Sequence, residues 1–211
     1  GARRLVPARE LSLARLIELK RNLPADMEIE AFVHGAMCMA YSGRCMMSAF
    51  LTGRSANRGA CTQPCRWNYA LEEEKRPGQF FPVEEEAGRT AILSAGDLCC
   101  LPFLDKLIAA GVSSFKIEGR MKSEYYVATV VNAYRRRLDD LDGDPAPFLR
   151  ELDSVSHRPY TAGFYFGAPT GGGGDYEQGC VYAGVVLSAS GGRARVLVKN
   201  KFSEGDVLEV V

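Results

Sequence analysis

The sequence has no net charge: its 211 residues carry 26 Lys and Arg against 26 Asp and Glu. No overall field advertises a polyanionic partner, although a local basic patch is left open. No run approaches the roughly 18 apolar residues of a membrane helix, and no signal peptide is visible, so no membrane association is expected. Histidine is scarce, with only His34 and His157. Neither H-E-x-x-H nor G-x-S-x-G occurs, which leaves a zinc protease or an ordinary serine hydrolase poorly supported. The glycine run at 171–174 lacks the strand, the helix and the lysine of a phosphate-binding loop, and reads as a flexible connection.

What is present is ordinary globular composition, 46% hydrophobic and 25% charged, enough for one sizeable domain or a domain and a half. The seven cysteines are an odd number, and Cys99 and Cys100 are adjacent. A secreted disulfide framework seldom looks like this. A reducing, cytoplasmic location is expected, where clustered cysteines point to metal binding or catalysis. The chain opens on Gly1 and stops within what reads as a strand, so a part of a longer protein is expected.

Hydrophobic periodicity predicts alternating elements. Ser12 caps a helix over "LARLIELKRN" that Leu23-Pro24 ends. "MEIEAFVHG" alternates and then turns apolar, a strand ending near His34. Glycines and Pro64 break the segment from Met37 to Trp67 into loops and short helices. "NYALEEEKRPGQFFPVEEEAG" reads as a polar hairpin, "TAILSAGDL" as a strand and "LPFLDKLIAAG" as a helix stopped by Gly111. "VSSFKIEG" follows as a strand. "SEYYVATVVNAYRRRLDDL" is a long amphipathic helix with Tyr126, Val130 and Ala133 or Tyr134 on one face. The alternation predicts an α/β fold with a parallel sheet, with too few strands to close an eight-stranded barrel. "DGDPAPF" marks a boundary. Residues 1–141 form the α/β part, 142–179 a linker or excursion, and 180–211 three short strands that begin a small β domain.

Three constellations carry chemistry. The first is Cys38-x6-Cys45-x15-Cys61-x3-Cys65. Four thiolates from a loop-rich segment suit an iron–sulfur cluster, while structural zinc prefers closer pairs and fits Cys61 and Cys65 better than Cys38 and Cys45. Buried small hydrophobes are the plain alternative. His34, near the end of its strand, suits a base beside a cysteine nucleophile or a hydrogen-bonded loop histidine. The second is "SFKIEGRMKS", where Lys116, Glu118, Arg120 and Lys122 gather as a strand gives way to a helix. Ligands of parallel α/β folds bind at such strand ends, and Arg120 offers a planar fork for a carboxylate or phosphate. An exposed ion-pair cluster is the alternative. The third is Arg44, Arg54, Arg58 and Arg66 with Trp67 and Tyr69, which suit either a nucleic-acid backbone with a stacked base or plain surface charge.

"EAFVHGAMCMAYSGRCMMS", "RGACTQPCRW", "SFKIEGRMKS" and "NKFSEGD" occur in an order that resembles peptidase family U32, the collagenase-like proteases, over nearly the whole chain. Within it the cysteine pattern is most similar to the tRNA uridine hydroxylases. The resemblance implies the C-terminal part of a TIM-like (β/α) barrel with a cysteine-rich insertion, followed by the start of a small β-barrel. It implies a [4Fe–4S] cluster on Cys38, Cys45, Cys61 and Cys65, prephenate as hydroxylation cofactor and tRNA as partner. Cys99 would be the substitute ligand. His34, Glu118 and Arg120 are then expected as catalytic residues, with Arg44, Arg66, Lys116 and Lys122 binding substrate. A peptidase at the same place, and a non-catalytic cluster-binding module acting with a protein partner or a second copy of itself, are the alternatives.

Overall fold

A computed structural model describes residues 1–38, 40–67, 69–72, 75, 77–78, 80–82, 96–167 and 176–210. Its main sheet is built on β2 (Glu28–Ala36). There Ile29, Ala31 and Val33 point into the core while Glu28, Glu30 and Phe32 between them stay partly or wholly open, the alternation of a half-buried strand. From Val33 onward every residue of β2 is buried. Its partners are β1 (Arg4–Leu5) and β6 (Ser114–Ile117), both parallel, and β5 (Asp97–Cys99), which in turn pairs in parallel with β7 (Tyr160–Thr161).

β5 corrects the expectation of an all-parallel sheet, because it runs antiparallel to β2 with Asp97 opposite Ala36 and Cys99 opposite His34. A parallel return needs a crossover that carries the chain back to the start of the sheet. Here the chain leaves β2 into the cysteine segment and re-enters at the end it left, so its direction is reversed. The sheet is therefore mixed. The expected approach to β5 at 90–95 and the glycine run at 171–174 lie outside the described residues. The polar excursion contains a hairpin of β3 (Ala70–Glu72) and β4 (Phe80–Pro82).

Helices cover the sheet where capping and periodicity put them. The Ser12 hydroxyl accepts from the Arg15 N–H at the start of α1 (Leu13–Asn22), and Ser123 does the same for the Tyr126 N–H in α4 (Glu124–Asp139), each satisfying an orphan first-turn donor. The short α2 (Met47–Thr52) lies in the cysteine segment. A 3₁₀ turn at Leu101–Phe103 leads into α3 (Leu104–Ala109). Leu16, Ile29, Val33, Leu104, Leu107, Val130 and Ala133 form the centre of the core. The stretch read as a linker holds α5 (Ala146–Leu152), and its Phe148 and Leu152, with Val155, join that core. Of the three strands expected in the tail, two form: β8 (Gly184–Ser190) and β9 (Arg193–Val198). Their two-residue turn places Gly191 and Gly192 at φ 55° and 72°, the positive values a tight hairpin needs. No strand follows among the described residues to 210. No described helix is long and apolar enough to cross a membrane.

Gly35 lies within β2 at φ +110°, and a Cβ there would fall on the carbonyl oxygen of Glu118. The close approach lets the Glu118 N–H donate to the His34 carbonyl at 2.9 Å. Gly35→Ala is expected to lower the unfolding free energy by about 2 kcal/mol or more, from backbone strain plus the forced separation of β2 and β6. A urea titration against the unaltered protein measures it.

Candidate functional site

β2 and β6 end on the same edge of the sheet because they are parallel, and β5 begins there because it is antiparallel. Met37 and Cys38, Glu118 and Asp97 are thereby delivered to one place. Asp97 is fully buried and meets Arg66, whose Nη1 donates to its Oδ1 at 2.7 Å; the two side chains are 0% and 5% exposed. Arg66 Nη2 also donates to the Met37 carbonyl at 3.2 Å, and Nη1 lies 3.4 Å from the Tyr176 hydroxyl. Lys122 donates to the Ser156 carbonyl at 2.6 Å, sits 4.0 Å from Asp97 Oδ2 and lies over the rings of Tyr126 and Tyr176. Burial lowers the Lys122 pKa, with Asp97 opposing. Burial likewise raises the Tyr126 hydroxyl, with the Asp97 and Glu118 charges adding to it. The Tyr126 hydroxyl and Asp97 Oδ2 are buried with no hydrogen-bond partner among the described residues.

His34 closes the inner wall. Its ring lies among Tyr126, Tyr134 and Tyr160, with centroids 6.0, 5.4 and 5.3 Å away. The Tyr134 hydroxyl donates to the Val33 carbonyl at 2.7 Å and accepts from the Cys100 N–H at 3.0 Å. Its remaining lone pair faces His34 Nδ1 at 3.4 Å. That pattern assigns the proton to Nδ1 and leaves Nε2 as a bare acceptor, which is buried and unpartnered among the described residues. Desolvation first, then His157 and Lys122, push the His34 pKa down to about 3.

The cysteine segment is fastened over this edge. After Cys38 the chain turns into α2, whose buried Ser48 accepts from the Thr62 N–H at 3.1 Å. Cys61 Sγ accepts the Gln63 N–H at 3.2 Å, and the Gln63 side chain donates to Glu118 Oε2 at 3.2 Å. The turn that holds Cys61 and Cys65 is thus tied to the sheet twice, through Gln63 to Glu118 and through Arg66 to Asp97. Cys38 is exposed by surface area, yet protein crowds its thiol: desolvation raises its pKa, Arg9 opposes, and Cys61 and Cys45 reinforce. Arg9 Nη1 stands 3.4 Å from Cys38 Sγ while donating to the Ala36 carbonyl. These thiols share one electrostatic field, and no disulfide links any of the seven cysteines. Among the described residues no three Cys, His, Asp or Glu side chains converge at the spacing of a single metal ion.

The chain is 35% identical to tRNA hydroxylation protein P of Escherichia coli (strain K12) over its full length, covering 57% of that protein. It is 39% identical to tRNA hydroxylation protein P1 of Bacillus subtilis (strain 168), with 99% of the chain and 52% of the relative aligned. The 23S rRNA 5-hydroxycytidine C2501 synthase of E. coli is 43% identical over 66% of the chain and 20% of its own length. The chain thus spans about half the length of the tRNA hydroxylation relatives. The family model described as Peptidase family U32 matches residues 1–173. The chain belongs to peptidase family U32. No solved structure matches it.

Of the residues singled out in this U32 chain, the structure brings Arg66, Glu118, Lys122 and His34 to the same strand ends as the cysteines. Arg120 is exposed; its backbone N–H donates to Glu118 Oε1 at 3.1 Å, while its guanidinium has no partner among the described residues. Arg44 is exposed in the cysteine segment. Lys116 is not brought to the cluster: it pairs with Glu30 at 2.9 Å, in a surface network that includes Arg4. Cys99, named as a substitute ligand, and Cys100 are core residues whose thiols burial pushes up, Cys99 to about 11. Asp97, Gln63, Tyr126 and Tyr134 were not singled out for the site. The one legible signal was an aspartate set against the apolar start of a strand.

Two outcomes follow from this geometry. Asp97→Ala deprives the buried Arg66 of its carboxylate and should cost about 3–5 kcal/mol, whereas Arg66→Met with Asp97→Leu should recover most of it; chemical denaturation of both variants measures the difference. His34 is a base whose folded pKa lies below its unfolded value of about 6.5. The unfolded chain therefore takes the proton first. The stabilisation is complete above that value and is lost as the pH falls toward about 3. Between pH 6.5 and 5 stability should drop by up to about 1.4 kcal/mol per pH unit, and His34→Gln should flatten that slope.

Proposed function

We propose that the protein containing this chain is an RNA-modifying enzyme that hydroxylates a uridine of tRNA, using a [4Fe–4S] cluster on Cys38, Cys45, Cys61 and Cys65 and a prephenate-derived cofactor. The observation that carries the reading is the cysteine segment itself: interacting thiols, anchored by two polar ties to the carboxylates of Asp97 and Glu118 at the strand ends. Relatives named for tRNA and rRNA hydroxylation align over most of the chain. The donor set fits the group. Four thiols on an irregular segment, with Cys45 and Cys61 both acting on the Cys38 thiol, are the donor chemistry that such a cluster takes. When bound, such a cluster supplies electron transfer.

In this reading the sheet is the C-terminal part of a (β/α) barrel and the β8–β9 hairpin begins a second, β-barrel domain, in a cytoplasmic protein. Arg120 presents an exposed guanidinium for a carboxylate of the cofactor or for an RNA phosphate. Lys122 adds charge behind it. Glu118 holds the Gln63 side chain and so fixes the cysteine turn. His34 stays neutral and offers Nε2 as an acceptor. A cysteine peptidase has less support, because a nucleophilic thiol needs a depressed pKa, while Cys38 is raised and His34 is engaged with Tyr134.

Anaerobic purification of the full-length protein, with iron and sulfide analysis and nucleoside mass spectrometry of tRNA from a deletion strain, tests the proposal. Cys38→Ser, Cys45→Ser, Cys61→Ser and Cys65→Ser should each lose most of the iron and the hydroxylated uridine, and Cys180→Ser should keep both. Full iron in three of the four variants would remove the ligand assignment. Intact iron with no tRNA product in the unaltered protein would favour the cluster-binding module.

A further inference from the structure

The inner side of the cysteine segment is accounted for by its ties to the sheet; its outer side is not. Ser48 and Thr52, one turn apart on α2, face Thr62 within the segment. Met46 and Phe50, on the opposite side, are 71% and 86% exposed, and Tyr41 is 73% exposed. Trp67 and Tyr69 are exposed further along. So open a Phe contributes nothing to this core. The charge of the segment itself is one-sided, although Glu10 from outside it accepts the Ser42 N–H at 2.8 Å. Between Glu30 and Glu72 the sequence has no acidic residue, but it has Arg44, Arg54, Arg58 and Arg66. Arg66 is turned inward to Asp97, whereas Arg44, Arg54 and Arg58 are exposed. In a chain with no net charge, this segment concentrates cations and open aromatic rings.

We propose that the outer face of α2, with Phe50 as stacking platform and the exposed Arg44 and Arg54 of the same segment supplying charge, is the surface that grips a single-stranded loop of the RNA substrate. Rings stack on any base and guanidinium groups neutralise phosphates, so the combination suits unpaired RNA. A protein surface complementary to this face would have to supply acids as well as apolar area. The inference rests on the RNA reading above and adds where the RNA lies.

The test uses the full-length protein and fluorescently labelled tRNA, titrated at several salt concentrations. Phe50→Ala should weaken binding by about tenfold or more, and Phe50→Trp should retain it. Arg54→Gln should weaken binding and flatten the salt dependence by about 0.7 in log–log slope. Circular dichroism and the melting temperature should match the unaltered protein in all three. The Phe50→Trp indole should be quenched on adding RNA. Undiminished binding by Phe50→Ala, with RNA binding otherwise intact, overturns this surface and leaves the RNA reading standing. An indole already shielded in the RNA-free protein, and indifferent to RNA, assigns the face to a protein contact and also overturns it. Failure of the unaltered protein to bind any tRNA overturns both readings.

Discussion

The buried ion pair between Arg66 and Asp97 is the constraint on which the site depends. Asp97 opens β5 and Arg66 closes the turn that carries Cys61 and Cys65. The cysteine segment has few apolar residues of its own in the core, so hydrophobic burial cannot hold it in place. A buried pair between two charges adds little net stability, because desolvation consumes most of the Coulomb energy. What it adds is position: only one placement of the segment satisfies both charges, and any other strands one of them in a dry interior. The Gln63–Glu118 hydrogen bond fixes the same turn from the other side. Two ties of this kind set the segment's distance and its rotation, which one tie cannot do.

That placement depends on the direction of β5. Because β5 runs antiparallel to β2, its first residue lies at the strand ends where Cys38 and Glu118 emerge. A parallel β5 would carry Asp97 to the far side of the sheet. Gly35 contributes at the same level, since its positive φ and missing side chain let the Glu118 backbone close on β2. Backbone geometry thus determines which charges meet. The charges then set the chemistry: Arg66 is paired with Asp97, Lys122 lies over the Tyr126 and Tyr176 rings, and His34 is kept neutral by burial first and then by His157 and Lys122.

What was legible in the sequence was whatever is encoded locally. Ser12 announces a helix start, Gly111 a helix stop, the amphipathic face with Tyr126 and Val130 a long helix, and the alternation from Glu28 to Val33 a strand, all from residues within a few positions of one another. The cysteines were legible because thiol chemistry is rare enough to stand out. The direction of β5 was not, since it depends on where a long excursion returns. α5 was hidden by Asp142, Gly143, Asp144 and Pro145, whose turn composition masked the Phe148 and Leu152 that follow. Lys116 looked like a site residue by proximity to Arg120, but it sits within β6 beside Phe32 and Glu30, while Lys122 lies past the strand end. Asp97 needed its partner to be recognised, and Arg66 is 31 positions away.

The same segment faces two ways, and this explains its composition. Its inward polar groups, Ser48, Thr62, Gln63 and Arg66, satisfy one another and the sheet through specific bonds. Its outward groups are aromatic, aliphatic and cationic, with no acid to pair the exposed arginines within the segment. An acid there would neutralise the face and also compete with Asp97 for Arg66, so one compositional rule protects both the anchor and the surface. Family membership alone does not decide between peptide and RNA, because one fold hosts unrelated chemistries. A hydrolytic cysteine requires a thiolate prepared by a nearby base, and the Cys38 thiol is raised while His34 holds its proton on the side facing Tyr134. Under the function proposed above, grouped thiols beside a cationic, aromatic surface are instead the provisions of a protein that holds a redox group close to a polyanion.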